Sequence, residues 1–256
     1  MEAKLTDMVA LVTGSGSGIG AAVARRLAAE GAAVALVAGR RDRLDDLAST
    51  ICRDGATALV VQADVTRQQE AADAVERTVA QLGRLDIVVN NAGIVPLGCA
   101  VDASTDWDQM VALNVRGLRY VSHAALLHLV RAADDSPRGV ADLVTISSTA
   151  GRMARPGSSV DNHAGSAVIA FAEAIRQEML GQHVRVSVVD SGAVNTEIVS
   201  CGREDMQHPA RRRTESIEAM RPEDIADTVA SIVIRDRRGM ADELLIRASE
   251  QHWHMR

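Results

Sequence analysis

Short apolar runs alternate along this chain with longer segments whose apolar positions fall on one face of a helix. Val9, Leu11 and Val12 predict a buried strand, and Ile19, Val23 and Leu27, spaced four apart, predict a helix from Ile19 to Glu30. The pattern repeats with a strand over Val34 to Ala38, a helix over Arg40 to Asp54 carrying Leu44 and Leu47, and a strand over Thr57 to Val61. Ala71, Val75, Val79 and Leu82 mark the next helix, which Gly83 stops before a strand over Leu85 to Val89. Ser104 or Thr105 caps a helix expected to run unbroken through Met110, Leu113 and Leu118 to about Arg131. After a polar loop over Asp134 to Gly139, the pattern gives a strand over Val140 to Ser147 and a helix over Ser159 to Leu180. A strand over Val184 to Val189, a helix from Pro222 through Ile225, Val229 and Ile232, and a strand over Glu243 to Ile246 complete it. This alternation requires an α/β architecture, a doubly wound parallel sheet with helices on both faces. The length, 256 residues, suits one such domain spanning the chain.

Composition narrows the function classes. Apolar residues make up 47% of the chain and the net charge is -6, so no basic bias points to nucleic acid. The cluster Arg211-Arg212-Arg213 lies among acidic residues and reads as solvated surface. No run is long enough for a membrane span, and Glu2 and Asp7 interrupt any apolar leader. Cys52, Cys99 and Cys201 are widely spaced and odd in number, which implies free thiols in a reducing compartment and a cytoplasmic location. The 7 histidines have no metal spacing; His252 and His254 read as a frayed terminus rather than a chelating pair.

In a parallel doubly wound sheet, ligands sit beyond the carboxyl ends of the strands. Here those ends are polar or glycine-rich: Thr13 to Gly20, Ala38 to Arg41, Asp64, Asn90 to Gly93, Ser147-Ser148, and Asp190 to Thr196. The first is the most informative. Gly14, Gly18 and Gly20 lie between a strand and a helix, where they permit a sharp turn and aim a helix N-terminus at a phosphate. That is a dinucleotide-binding opening. No acidic residue occurs from Ala33 to Arg41 to accept a free ribose hydroxyl, while Arg40 and Arg41 are placed to meet a 2'-phosphate. The pattern therefore favours NADP over NAD.

Over nearly its whole length the chain resembles the short-chain dehydrogenase/reductase family, a Rossmann-type fold. Thr13-Gly14-Ser15-Gly16-Ser17-Gly18-Ile19-Gly20 matches the family's T-G-x-x-x-G-x-G, and Asn90-Asn91-Ala92-Gly93 matches N-N-A-G. The resemblance implies cofactor contacts from Gly14, Ser17, Gly18, Ile19, Gly20, Asp64, Val65, Asn91, Ala92, Gly93 and Thr196, in addition to Arg40 and Arg41. It assigns Asp64 to the adenine, and it makes Asn114 and Ser148 members of the catalytic group. By the same resemblance, the helices carrying Asn114 and Phe171 form the contacts of a homodimer or homotetramer.

The rest of the family's active site is missing. The tyrosine expected thirteen residues after the serine is Asp161, and the lysine expected four residues later is Gly165. Ser166-Ala167-Val168 continues the family pattern, so the register holds. Ser191 replaces the usual proline before Gly192. No displaced pair compensates: Tyr120 is the only tyrosine, six residues past Asn114 and about 240° around its helix, and Lys4 is the only lysine. Asp161 is the candidate proton carrier, or alternatively an ordinary acid at a helix start. His163 is expected to face away from it. Arg152 and Arg155 are candidates to bind an acidic substrate or to be solvated, and the stretch 192–220, with Glu197, Arg203 and Asp205, is the expected substrate-side lid. Three readings follow. The chain is an NADP(H)-dependent oxidoreductase with atypical proton chemistry on a small carbonyl or alcohol, a cofactor-binding non-redox enzyme such as a dehydratase, isomerase or cyclase, or a catalytically silent partner protein.

Overall fold

Short, mostly apolar runs, most of them rich in valine, form the strands, because β-branched side chains fill both faces of a covered parallel sheet. The computed structural model describes residues 3–95, 105–153, 159–196 and 217–251. In chain order its elements are β1 (Val9–Thr13), α1 (Gly18–Ala29), β2 (Ala33–Ala38), α2 (Arg41–Arg53), β3 (Ala58–Gln62), α3 (Gln68–Leu82) and β4 (Ile87–Asn90). There follow α4 (Thr105–Met110), a π-helical segment (Val111–Gly117), α5 (Leu118–Asp135), β5 (Ala141–Ser148) and a 3-10 turn (Thr149–Gly151). The remainder is α6 (Ser159–Glu178), β6 (Val184–Ser191), α7 (Pro222–Val233) and β7 (Glu243–Ile246).

The strands form one parallel sheet in the order β3-β2-β1-β4-β5-β6-β7. Alternate residues of each strand face opposite layers. Ala10 and Val12 meet α1, α2 and α7 through Val23, Leu27, Leu44, Ile225 and Ile232. Val9 and Leu11 belong to the other layer, which α3, α5 and α6 close with Val75, Val121, Leu129 and Ile175. The order reverses between β1 and β4, so a crevice opens beyond their carboxyl ends.

The amino ends of the central strands are locked by buried charge. Asp86, fully buried, accepts the Val9 backbone N–H at 2.9 Å and two bonds from Arg84 at 2.8 Å. Asp142, also fully buried, receives Arg185 through two bonds of 2.8 and 3.1 Å and Arg138 through one of 2.8 Å. Arg185 further donates to the carbonyls of Val233 at 3.2 Å and Gly239 at 2.9 Å, tying the end of α7 to the sheet. This leaves the opposite, carboxyl end as the one built from loops.

Two departures from the sequence pattern bear on the site. The helix expected to run unbroken past Asn114 instead passes through the π-helical segment, and α5 then continues beyond Arg131 to Asp135. β6 extends past Val189 to Ser191, because Asp190 and Ser191 still pair with Ser147 and Ser148 although they are polar. Among the described residues, no helix is long and apolar enough to cross a membrane.

Candidate functional site

The glycine turn is set by contacts from β4. Thr13 Oγ1 accepts the backbone N–H groups of Asn91 and Ala92, both at 3.0 Å. The Asn91 carboxamide donates to the carbonyls of Thr13 at 3.0 Å and Gly14 at 3.3 Å. Gly14 has φ +65°, and a Cβ there would stand 2.8 Å from Ala92 Cα. A Cβ on Gly20 would overlap the Gly14 carbonyl oxygen and lie 2.5 Å from Asn91 Nδ2. The turn is thus a backbone cradle with no room for side chains on these positions. Ser15 is buried and holds it to the Val37 carbonyl of β2. Ile19 packs into the layer beneath, and Thr196, beyond β6, stands 3.3 Å from the Cβ position of Gly18.

At the end of β2, Arg40 Nη2 donates to Ser17 Oγ at 3.2 Å, which brings a cation to the residue preceding α1. The first turn of α1 contains no acidic residue to compete for an anion. Arg41 instead lies along its own helix, 3.4 Å from Asp45. Arg43, which the sequence reading did not select, has its Cβ 3.6 Å from the Cβ position of Gly16. Its place one helical turn past Arg40 was the available signal.

Asp64 is half-exposed. One of its oxygens accepts the Thr66 N–H and hydroxyl at 3.0 and 2.7 Å, and the other lies 3.6 Å from Arg67. Val65 packs beneath Gly117, where a Cβ would stand 3.1 Å from the valine methyl group.

On the β4–β5 side, Asn114 lies in the π-helical segment and closes a pair of bonds with Ile94. Its Oδ1 accepts Ile94 N–H at 2.9 Å, and its Nδ2 donates to Ile94 O at 2.8 Å. The extra residue of a π turn is a recurrent feature of functional sites, and here it carries the side chain that fixes the backbone after Gly93. Ser148 Oγ accepts the Ala150 N–H at 3.1 Å and so caps the 3-10 turn, keeping its own proton to donate. Tyr120 packs on the α5 layer with the Arg119 guanidinium 4.9 Å over its ring.

Asp161 is half-buried in the first turn of α6, and His163, two residues on, is exposed. Asn162, another residue the sequence reading passed over, donates to the carbonyls of Ala150 and, at 2.7 Å, Met153. Ser166 donates to Gly151 O at 3.1 Å. α6 is therefore stitched to the loop that carries Ser148. No local sequence pattern marks Asn162, since its partners are backbone carbonyls.

Arg152, read from the sequence as either a binder of an acidic substrate or a solvated cation, has carboxylate partners within the protein. Its guanidinium bonds Asp190 on β6 and Glu243 on β7, spanning three neighbouring strand ends. Asp190 is fully buried with its Oδ1 lacking a hydrogen-bond partner, and burial pushes its carboxyl above the ordinary range against the pull of Arg152. A group whose folded pKa is raised favours folding below its unfolded pKa and loses that contribution as pH rises through the folded value. Stability is expected to fall over that window, and Asp190→Asn is expected to flatten the fall. Thermal unfolding from about pH 4 to 8 checks this, and an unchanged slope in the variant would refute it. Arg155, Glu197, Arg203, Asp205, the 211–213 arginines, Cys99, Cys201 and both terminal histidines lie outside the described residues. Among the described residues no cluster of metal-ligating side chains occurs.

Comparison with known proteins agrees with this geometry. The family model described as short chain dehydrogenase matches residues 8–207. An oxidoreductase of Staphylococcus aureus (strain MRSA252), named as uncharacterised, is 30% identical over 244 residues, covering 95% of this chain and 98% of that one. A short-chain dehydrogenase from Burkholderia cenocepacia, solved with NADP, is similar at TM-score 0.83 and 30% identity, covering 95% and 98% of the two chains. A 3-ketoacyl-(acyl-carrier-protein) reductase from Brucella melitensis, solved with NADH, is similar at TM-score 0.83 and 26% identity over 96% and 98%.

Proposed function

We propose, from the premise that the chain belongs to the short-chain dehydrogenase/reductase family, that it is an NADP(H)-dependent oxidoreductase with atypical proton chemistry on a small carbonyl or alcohol. One observation carries the cofactor reading: Arg40 reaches Ser17 beside a glycine cradle that side chains would fill. The cradle and the cation suit a pyrophosphate next to a 2'-phosphate. The relatives solved with NADP and with NADH support a nicotinamide nucleotide, and Arg40 is the argument for the phosphorylated one.

When bound, such a cofactor supplies or accepts a hydride. The chain's own residues do the rest. Thr13 and Asn91 hold the turn, Gly14, Gly18 and Gly20 let it approach the phosphates, and Ser17 and Arg40 receive the ribose phosphate. Ile19, Val65, Ala92, Gly93 and Thr196 line the crevice, and Asp64 borders the adenine side. Ser148 donates a hydrogen bond from its hydroxyl to the substrate oxygen, while Asn114 sets the backbone beside it. Asp161 occupies the family's tyrosine position, where a carboxyl serves as acid only in its protonated form. As a carboxylate it would oppose negative charge on the substrate oxygen. We read the chain as one domain over 1–256 with a lid over 192–220, cytoplasmic, and assembled as a homodimer or homotetramer. Leu127 of α5, 69% exposed, supports the assembly.

The test is a titration with NADPH and NADH in parallel. NADPH is expected to bind more tightly, and Arg40→Ala is expected to weaken it by about 10- to 100-fold while sparing NADH. Equal loss for both nucleotides would remove the 2'-phosphate assignment. A panel of carbonyl substrates followed by nicotinamide absorbance, with Asp161→Asn as comparison, then tests the redox step. The non-redox and silent readings are favoured by one feature, the backbone contact between Gly165 and Gly151 where the family places its lysine. Product formed without an absorbance change would select the non-redox enzyme.

A further inference from the structure

We infer that this crevice grips the 2'-phosphoadenosine diphosphate-ribose part of the dinucleotide and leaves the nicotinamide end without a cationic side-chain anchor from α6. The inference rests on the cofactor reading above and goes beyond it, since it assigns the affinity to one half of the ligand. A dinucleotide lies across the reversal of strand order, so its halves meet two different sets of groups. One half rests over β1 and β2, where the glycine cradle, Ser17 and Arg40 converge. The other rests over β4, β5 and the start of α6.

On that second side the amide and cationic side chains are absent or spent on the protein itself, and Asp161 offers only a carboxyl group. A Cβ on Gly165 would stand 2.6 Å from Gly151 Cα and 2.8 Å from Gly151 N. A Cβ on Gly151 would stand 2.8 Å from the Gly165 carbonyl carbon and 2.9 Å from Ile169 Cδ1. The two backbones are therefore in direct contact, with Asn162 and Ser166 bonded to the same turn. Position 165 is closed by the main chain, so there α6 has neither the side chain nor the space from which a cation would reach a ribose. Both ends of the Asn114 carboxamide belong to Ile94, and the Asn91 carboxamide belongs to the glycine turn. Arg152 is held by Asp190 and Glu243. The Ser148 hydroxyl, which accepts the Ala150 N–H, keeps a proton to donate on this side.

Calorimetric titration of the full chain with NADPH, and separately with 2'-phosphoadenosine diphosphate-ribose, tests this. A charged anchor on the nicotinamide ribose is worth roughly tenfold or more in affinity. The two dissociation constants are expected to agree within about fivefold. NADPH binding more tightly than the truncated ligand by a larger factor would overturn the inference and leave the cofactor reading intact. Binding of neither ligand would overturn the cofactor reading and the inference with it.

Discussion

Asp142→Ala is expected to destabilise the fold by about 3–5 kcal/mol, because it leaves Arg185 buried without its anion. Arg185 is 5% exposed and Asp142 fully buried, so water does not replace the lost bonds. The remaining partners of Arg185 are carbonyls at the end of α7 and in the segment after it, which lower its cost without neutralising it. For a chain of this size the loss corresponds to a fall of roughly 10 °C in Tm. Urea unfolding of the single variant beside Asp142→Leu with Arg185→Met separates the two causes. The double variant is expected to lose less than Asp142→Ala, since it removes the orphaned charge of Arg185 and leaves only Arg138, which is less buried and keeps its bond to the Val233 carbonyl. A single variant within about 1 kcal/mol of the parent would show that the lock is not needed.

Gly20→Ala is expected to weaken NADPH binding by more than about 100-fold, because the new Cβ has no unoccupied position. It would overlap the Gly14 carbonyl oxygen and press on the Asn91 carboxamide, the two groups that set the turn against β4. Relieving that overlap moves Gly14 or the start of α1, and either shift withdraws N–H groups from the phosphates. The variant is also expected to lose roughly 1–3 kcal/mol of stability. The remote Gly239→Ala, whose nearest neighbour is the Asp236 carbonyl at 3.9 Å, is expected to bind as the parent does. A folded Gly20→Ala protein with unchanged NADPH affinity would show that the cradle is not where the cofactor binds.

Much of the architecture was legible in the chain because the signals are local. Valine-rich runs read as strands from periodicity alone, and β7 begins and ends at the residues the pattern marks, Glu243 and Ile246. Gly83, with φ +87°, ends α3 as a left-handed cap, which its place after the last periodic residue announces. The glycine turn was equally readable, since strand, glycines and helix are contiguous. So was the absence of a tyrosine at 161 and a lysine at 165, which needs only counting.

Other features depend on partners far along the chain, which no local pattern encodes. Arg152 reads as a free cation in a loop, yet its carboxylates come from two strands that follow α6. The π-helical winding around Asn114 accompanies a bond to Ile94, 20 residues earlier. The sequence shows that lysine is missing at 165, but only the folded chain shows the Gly151 backbone standing against that position. By itself the sequence determined the order of elements, the parallel sheet and the glycine turn, because periodicity and contiguous turn residues are properties of neighbours. The tertiary structure alone decided which polar groups at the crevice are spent on the protein itself. A hydrogen bond satisfies a donor wherever its acceptor lies along the chain, and only folding brings the two within 3 Å.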